Sequence, residues 1–253
     1  MADKLLDVNG LTVSVEEKEI LHDINLSINK GETHVLMGPN GAGKSTLGFA
    51  LMGSPKYTLN SGEILFNGKT LTMKHPIKGQ RTEFFFHSKV LLKFRGFHFH
   101  HLFVTLLKRT VAKESAFGTL KKELRQAMEL LQMDPSYSER DLNVGFSGGE
   151  KKKAEILQML LLNPKLAILD ETDSGLDVDA VRTVSKGVEH YQKNRDGALL
   201  IITHSTGILE SLKVDYTHIM VNGHIVKTGD ASLIDEINEH GFEKYLELYA
   251  EKF

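Results

Sequence analysis

The stretch HVLMGPNGAGKSTLGFALMG, residues 34–53, constrains the fold of this chain more than any other. An apolar run ending at Met37 feeds a glycine-rich turn, and an apolar-periodic segment from Ser45 reads as helix. Strand, loop and helix in that order open an α/β unit. Gly38, Gly43, Lys44 and Ser45 satisfy the spacing G-x-x-x-x-G-K-[ST]. Glycines at those positions let backbone N–H groups curl around phosphate oxygens, and the helix N-terminus adds positive potential. The lysine reaches the β- and γ-phosphates, and the serine hydroxyl is a ligand for Mg²⁺. A plain glycine-rich turn would need neither the strand before it nor the helix after it. The candidate phosphate-binding residues are therefore Gly38, Pro39, Asn40, Gly41, Ala42, Gly43, Lys44, Ser45 and Thr46.

Composition narrows the partners. A chain of 253 residues with 41% apolar content can bury the core of one large domain or two small ones. A formal net charge of -2 gives no global reason to bind nucleic acid or anionic lipid. There is no cysteine, which excludes disulfides, an iron–sulfur cluster held by this chain's own thiolates, and a thiolate zinc site. The opening residues MADKLLDVNG carry no signal-peptide pattern, and no apolar run approaches the roughly 18 residues that span a bilayer. The expectation is a cytoplasmic protein with no membrane span and no direct nucleic-acid partner.

Three further segments aim polar groups at the same place. KLAILDETD, residues 165–173, is a short apolar run ending in acids, the form of a buried parallel strand delivering carboxylates at its C-terminal edge. Asp170 there suits Mg²⁺ held through water, and Glu171 suits polarisation of an attacking water. ALLIITHS, residues 198–205, is another apolar strand, and it brings His204 to that edge. NVGFSGGEKKKAEILQMLLLNP, residues 143–164, places Ser147, Gly148 and Gly149 before a helical pattern ended by Asn163-Pro164. It forms a second anion-binding surface. One nucleotide does not require two such surfaces in one chain, whereas a nucleotide held by another subunit would meet the second. SGLD, Ser174 to Asp177, would lie along that seam.

GPNGAGKS, FSGGE, LAILDE, SGLD and the following His204 resemble the Walker A, signature, Walker B, D-loop and switch histidine of ABC-type ATPases, in order and spacing over nearly the whole chain. Within that superfamily, NVGFSGGEKKKAEILQM and LDETDSGLDVDA look closest to the SufC family, the ATPases of the SUF iron–sulfur assembly system. The resemblance implies an ABC ATPase fold: a parallel-sheet core, an N-terminal antiparallel β subdomain and a helical insertion. It implies ATP and Mg²⁺ as cofactors, a homodimer closing on two ATP molecules, and scaffold partners similar to SufB and SufD. Lys44, Ser45, Asp170, Glu171 and His204 would act in cis, and Ser147 to Gly149, with Asp177, across the dimer. The position where many relatives stack an aromatic ring on adenine falls near Val15, which implies weak base recognition. A transporter's nucleotide-binding subunit would use the same machinery, and so would a module that binds ATP without hydrolysing it.

The expected architecture is a single ABC ATPase domain over residues 1–253. Residues 1–71 and 166–253 form the nucleotide-binding core, and 72–165 form the helical, signature-bearing part. Its clearest helix runs from Leu120 to Met133. Asn222-Gly223 in THIMVNGHIVKTGD predicts a hairpin. The C-terminal residues read as helix broken near Gly241.

One segment does not fit. FFFHSKVLLKFRGFHFHHLF, residues 84–103, holds seven of the thirteen phenylalanines and four of the twelve histidines, with no acid. His98, His100 and His101 lack the i, i+4 spacing and adjacent acid of a metal site. A basic-aromatic surface has no support elsewhere in the chain, and ordinary core would bury His87, Lys89, Lys93 and Arg95 at about 1 to 3 kcal/mol or more per uncompensated group. The resemblance places a Q-loop here, a strand ending in a glutamine. No glutamine follows the run, and Gln80 precedes it at the wrong end, so that role goes to no residue. Phe85 to Val90, written TTY TTY CAY TCN AAR GTN and read from each third base, permits Leu-Ser-Phe-Gln-Ser. From Glu83 to Thr105 the same shift permits IFLSFQSPIEVPGVSFSSFLRY, which looks like the SufC Q-loop region. A reading-frame slip from about residue 72 to about 108 accounts for the segment. The expectation is a loosely packed or solvent-exposed stretch in a chain that binds nucleotide with its hydrolysis uncoupled from its partner.

Overall fold

A computed structural model describes residues 4–71, 84–87, 115–139, 145–193 and 197–252. Strands β1 (Lys4–Val15), β2 (Lys18–Asn29), β4 (Tyr57–Phe66) and β5 (Lys69–Thr70) form an antiparallel sheet in the order β2-β1-β4-β5. A second sheet has the order β10-β9-β3-β8-β7-β6, with β3 (Thr33–Met37), β6 (Phe84–His87), β7 (Leu166–Asp170), β8 (Ala198–Ile202), β9 (Tyr216–Val221) and β10 (His224–Gly229). The helices are α1 (Lys44–Leu51), α2 (Ser115–Leu130), α3 (Gly148–Leu162), α4 (Val178–Lys193), α5 (Ser232–His240) and α6 (Glu243–Lys252).

The second sheet is covered on both faces, so its central strands are continuous apolar runs rather than alternating ones. Strand periodicity divides their side chains between two cores. Leu36, Ile168, Leu200 and Met220 face the antiparallel sheet and α1, alongside Val8, Ile24 and Leu47. Val35, Met37, Ala167, Leu169 and Ile201 face α3 and α4, alongside Ile156, Val184 and Val188. The parallel neighbours β3, β8 and β7 run in step: Leu36 lies beside Ile202, and Ile202 beside Asp170. Three strand ends therefore reach one edge, and the polar residues that follow them share it.

β10 pairs antiparallel with β9, which is the hairpin expected at Asn222-Gly223. β6 lies within residues 72–165, at the Phe run where the resemblance placed a strand, and Phe84 to His87 pair in parallel with Leu166 to Leu169. The helix expected over Leu120–Met133 runs instead over Ser115–Leu130, because Gln132 turns left-handed at φ 49° and the Met133 N–H closes onto the Met128 carbonyl at 2.9 Å. Buried Met133 extends the apolar pattern past the last turn as the contact that accompanies such a cap. The stop at Asn163-Pro164 is as expected, with Asn163 left-handed at φ 40°.

A polar chain with two buried histidines at its centre crosses the second sheet. Neutral His34 donates through Nε2 to Glu32 at 3.0 Å and accepts at Nδ1 from His218 Nε2 at 2.9 Å, while His218 Nδ1 accepts from the Thr228 hydroxyl at 2.8 Å. Burial pushes His218 down to about 3, because its imidazolium would be desolvated there and would lie beside His34. Burial also lowers His34, against the opposing pull of Glu32 and Asp215.

Candidate nucleotide and hydrolysis site

Buried β3 delivers the chain to Gly38, and α1 carries it away from Gly43. A Cβ on Gly38 would lie 2.1 Å from the Met220 carbonyl oxygen, so only glycine lets the loop approach β9 this closely. Gly41 and Gly43 turn at φ 83° and 101°, and the Ala42 N–H closes back on the Pro39 carbonyl at 3.2 Å. Lys44 is buried, its ammonium donating to the carbonyls of Gly38 at 2.7 Å and Pro39 at 3.0 Å. Asn40 and Gly41 are exposed at the crest, and Ser45 and Thr46 are half-buried in the first turn of α1. A hollow of backbone N–H groups ringed by a cation and a helix N-terminus can hold a polyphosphate.

Asp170 ends β7 at 3% exposure, and Glu171 follows at 9%. Glu171 is left-handed at φ 50°, and its N–H donates to the Ile202 carbonyl at 2.8 Å, which turns the chain at the sheet edge. A non-glycine residue in that region stores about 1 kcal/mol or more of strain. His204 Nδ1 lies 3.4 Å from Glu171 Oε1, with the imidazole about half exposed and the carboxylate nearly enclosed. Thr203 steadies the turn, donating to the Ser205 carbonyl at 3.0 Å and accepting from the Ser205 N–H at 2.9 Å. The strand ends thus bring Glu171 and His204 together, and α1 packs against β7 so that Lys44 and Ser45 start beside the same sheet. A serine hydroxyl and a carboxylate are hard oxygen donors, the set that suits Mg²⁺.

Ser147 sits exposed at the N-terminus of α3. Its hydroxyl accepts from the Glu150 N–H at 3.3 Å, and Glu150 Oε2 accepts from the Ser147 N–H at 2.7 Å. Among the described residues, Gly148 has no atom within 4 Å of where a Cβ would be, and Gly149 has Ala180 and Leu176 at 3.8 and 4.0 Å. Asp177 is exposed and caps α4, accepting from the Ala180 N–H at 2.8 Å. Val15 lies at the end of β1, half-buried, beside the turn into β2.

Two contributors were not expected from the sequence. Glu150 completes a capping box with Ser147, and a serine followed three residues later by a glutamate is its signature. Lys152, one turn into α3, donates to the Glu171 carbonyl at 3.2 Å, a contact between residues 19 apart that no local pattern encodes. Gln80, Lys89, Lys93, Arg95, His98, His100 and His101 lie outside the described residues, as do the side chain of His87 and most of the 72–108 stretch. Among the described residues no helix is long and apolar enough to cross a membrane.

The fold and the loop define a nucleotide-binding α/β domain of the phosphate-loop class. Comparison with known proteins narrows this: the family model described as ABC transporter matches residues 21–174. The chain is 42% identical over 250 residues to the "Probable ATP-dependent transporter ycf16" of Cyanophora paradoxa, covering 97% of this chain and 96% of that protein. It is 39% identical over 245 residues to "Vegetative protein 296" of Bacillus subtilis (strain 168), covering 96% and 94%. In fold it is similar to the solved "Structure of ATP binding subunit of ABC transporter", with a TM-score of 0.74 at 24% identity over 98% of each chain. The chain belongs to the ABC transporter family, as an ATP-hydrolysing domain that binds ATP with Mg²⁺.

Proposed function

We propose that this chain is the ATP-binding and ATP-hydrolysing subunit of a soluble iron–sulfur cluster assembly scaffold, dimerising on ATP and driving conformational change in partners similar to SufB and SufD. The observation that carries the catalytic part is the meeting of Glu171 and His204, 3.4 Å apart, at the sheet edge that also follows Asp170. Glu171 polarises the attacking water, and His204 holds the carboxylate and senses the γ-phosphate. Lys44 and the loop from Gly38 to Thr46 hold the phosphates. Ser45 directly, and Asp170 through water, hold Mg²⁺, which when bound offsets charge on the transferring phosphoryl group. Ser147, Gly148 and Gly149, with Asp177, close on the nucleotide of a second copy. Residues 1–71 and 166–253 act as the core, and 72–165 as the coupling part.

The scaffold partner is supported by the signature and Walker B neighbourhoods, NVGFSGGEKKKAEILQM and LDETDSGLDVDA. A second reading, the nucleotide-binding subunit of a membrane transporter, is favoured by the transporter names that several relatives carry. Affinity purification separates the two: soluble scaffold subunits that raise ATPase activity support the first, and a co-purifying permease supports the second. The frame slip over about 72 to 108 belongs to the same reading. Compensating single-base changes flanking codons 84 to 103 in the gene support it. A confirmed frame together with full partner-stimulated activity overturns it.

A further inference from the structure

The phosphate loop is seated on a distant hairpin by backbone contacts. At its entry, the space where Gly38 would carry a Cβ is closed by the Met220 carbonyl oxygen at 2.1 Å. At its exit, the Gly223 N–H donates to the Ala42 carbonyl at 2.8 Å, and the His22 N–H donates to the Gly223 carbonyl at 3.0 Å. A Cβ on Gly43 would meet Leu21 Cδ2 at 2.9 Å and Gly223 Cα at 3.6 Å. Between these points the loop is held by its own bonds from Ala42 and Lys44 to the Gly38 and Pro39 carbonyls, and no described residue lies within 4 Å of a Cβ position on Gly41. The two ends therefore set where the loop lies, and both rest on the β9–β10 hairpin, the entry on Met220 of β9 and the exit on the turn after it.

That segment has its own constraints. Asn222 and Gly223 are both left-handed, at φ 44° and 79°, in the two-residue turn that such a dipeptide favours. A Cβ on Gly223 would lie 2.0 Å from the Ile20 carbonyl oxygen. Immediately after the turn, the His224 ring stacks on His22 of β2 with centroids 4.9 Å apart and planes 21° apart. Its centroid lies 5.5 Å from that of the Tyr249 ring of α6, a helix packed on β9 and β10. A column of three rings thus runs from β2 through the turn to the C-terminal helix.

The geometry points to the Asn222–Gly223 turn as a positioning element of the nucleotide site, with His224, held between His22 and Tyr249, setting its placement. The C-terminal helix then acts on nucleotide affinity without touching the nucleotide. Phosphate is held by several backbone N–H groups at once, so a small shift of the loop misaims all of them together. The proposal rests on residues 38–46 being the phosphate loop.

Binding of MgATP to the full chain tests it, with thermal unfolding measured on the same samples. Tyr249→Ala weakens MgATP binding by about tenfold at a temperature well below its unfolding midpoint, and Tyr249→Phe, which keeps the ring, binds as the parent does. Gly223→Ala weakens binding at least as much, and if that variant does not fold the Tyr249 pair still decides. A Tyr249→Ala chain that melts earlier yet binds MgATP like its parent overturns the proposal, because the ring column would then be packing alone. A parent chain that binds no MgATP removes the phosphate-loop reading itself, and the positioning role with it.

Discussion

Two glycine-rich loops of this chain lead into helices, and their surroundings are opposite. At Gly38 and Gly43 the chain itself crowds the glycine, with the Met220 carbonyl oxygen 2.1 Å from a Cβ on Gly38 and the Leu21 side chain 2.9 Å from one on Gly43. Around residues 145–149 a Cβ on Gly145 or Gly148 meets none of the described residues within 4 Å. The first loop needs glycine so that this molecule can fold around its phosphate hollow. At the second, Gly145 is held to glycine by its own φ of 73°, and no described residue crowds Gly148, which leaves the N-terminus of α3 open among the described residues. On the proposed reading a second copy brings its own nucleotide there, where the helix N-terminus and the exposed Ser147 would meet it.

The largest effect expected sharpens the assignment of chemistry to the first loop's side. Glu171→Gln keeps the phosphate hollow and removes the group that polarises water, so kcat falls by about 10²- to 10⁴-fold while ATP affinity stays near that of the parent. Steady-state kinetics and ATP titration check it, and unchanged turnover would move the general base elsewhere. The next tests the crowding itself. Gly38→Ala forces a Cβ onto backbone and costs about 3 kcal/mol with loss of nucleotide binding, whereas Gly148→Ala stays within about 0.5 kcal/mol of the parent and still binds ATP. Thermal melts of the pair decide, and similar destabilisation in both would erase the contrast.

The first loop's supports should also be the more acid-sensitive. His34 lies on β3, the strand that enters that loop, and His218 on the neighbouring β9. Both are buried neutral, with pKa values depressed in the folded state, His218 to about 3. The unfolded chain takes up those protons near the ordinary value of 6.5, so stability is fully present above 6.5 and is lost as pH falls toward 3. Each histidine contributes a slope of up to about 1.4 kcal/mol per pH unit. Denaturant unfolding from pH 7.5 to 5 checks the sign, and a His218→Gln chain should show a shallower dependence. The smallest effect falls on the second loop. Ser147→Ala loses a helix cap and costs about 1 kcal/mol, while Ser147→Asp keeps the cap and changes stability little. If the second loop faces an incoming phosphate, the aspartate chain loses ATPase activity despite its intact melt.

Much of this contrast was legible in sequence because it is local. Met37-Gly38 through Ser45 carries strand, turn and helix signals within one window. Asn222-Gly223 specifies its hairpin by two residues alone, and Asn163-Pro164 ends α3 where a left-handed residue and a missing N–H require it. The runs 166–170 and 198–202 read as buried strands because both their faces are covered. What was hidden depends on pairs far apart in the chain. His34 and His218 look like unrelated strand histidines until β3 and β9 lie side by side, and Lys152 reaches Glu171 only once α3 packs on the sheet edge. The strand β6 falls where the resemblance placed one, but its pairing with β7 is a property of the sheet rather than of its four residues.

Complementation between two inactive chains tests the shared site most directly. Lys44→Ala disables the first loop in every copy, and Ser147→Asp disables the second. Mixed, they form heterodimers in which one site combines an intact Lys44 with an intact Ser147 and the other has neither. The account predicts that ATPase activity, negligible in each chain alone, rises on mixing to at most about a quarter of the parent's, from half the dimers each with one working site. A mixture no more active than the mean of the two separate chains, or either variant alone as active as the parent, would contradict it.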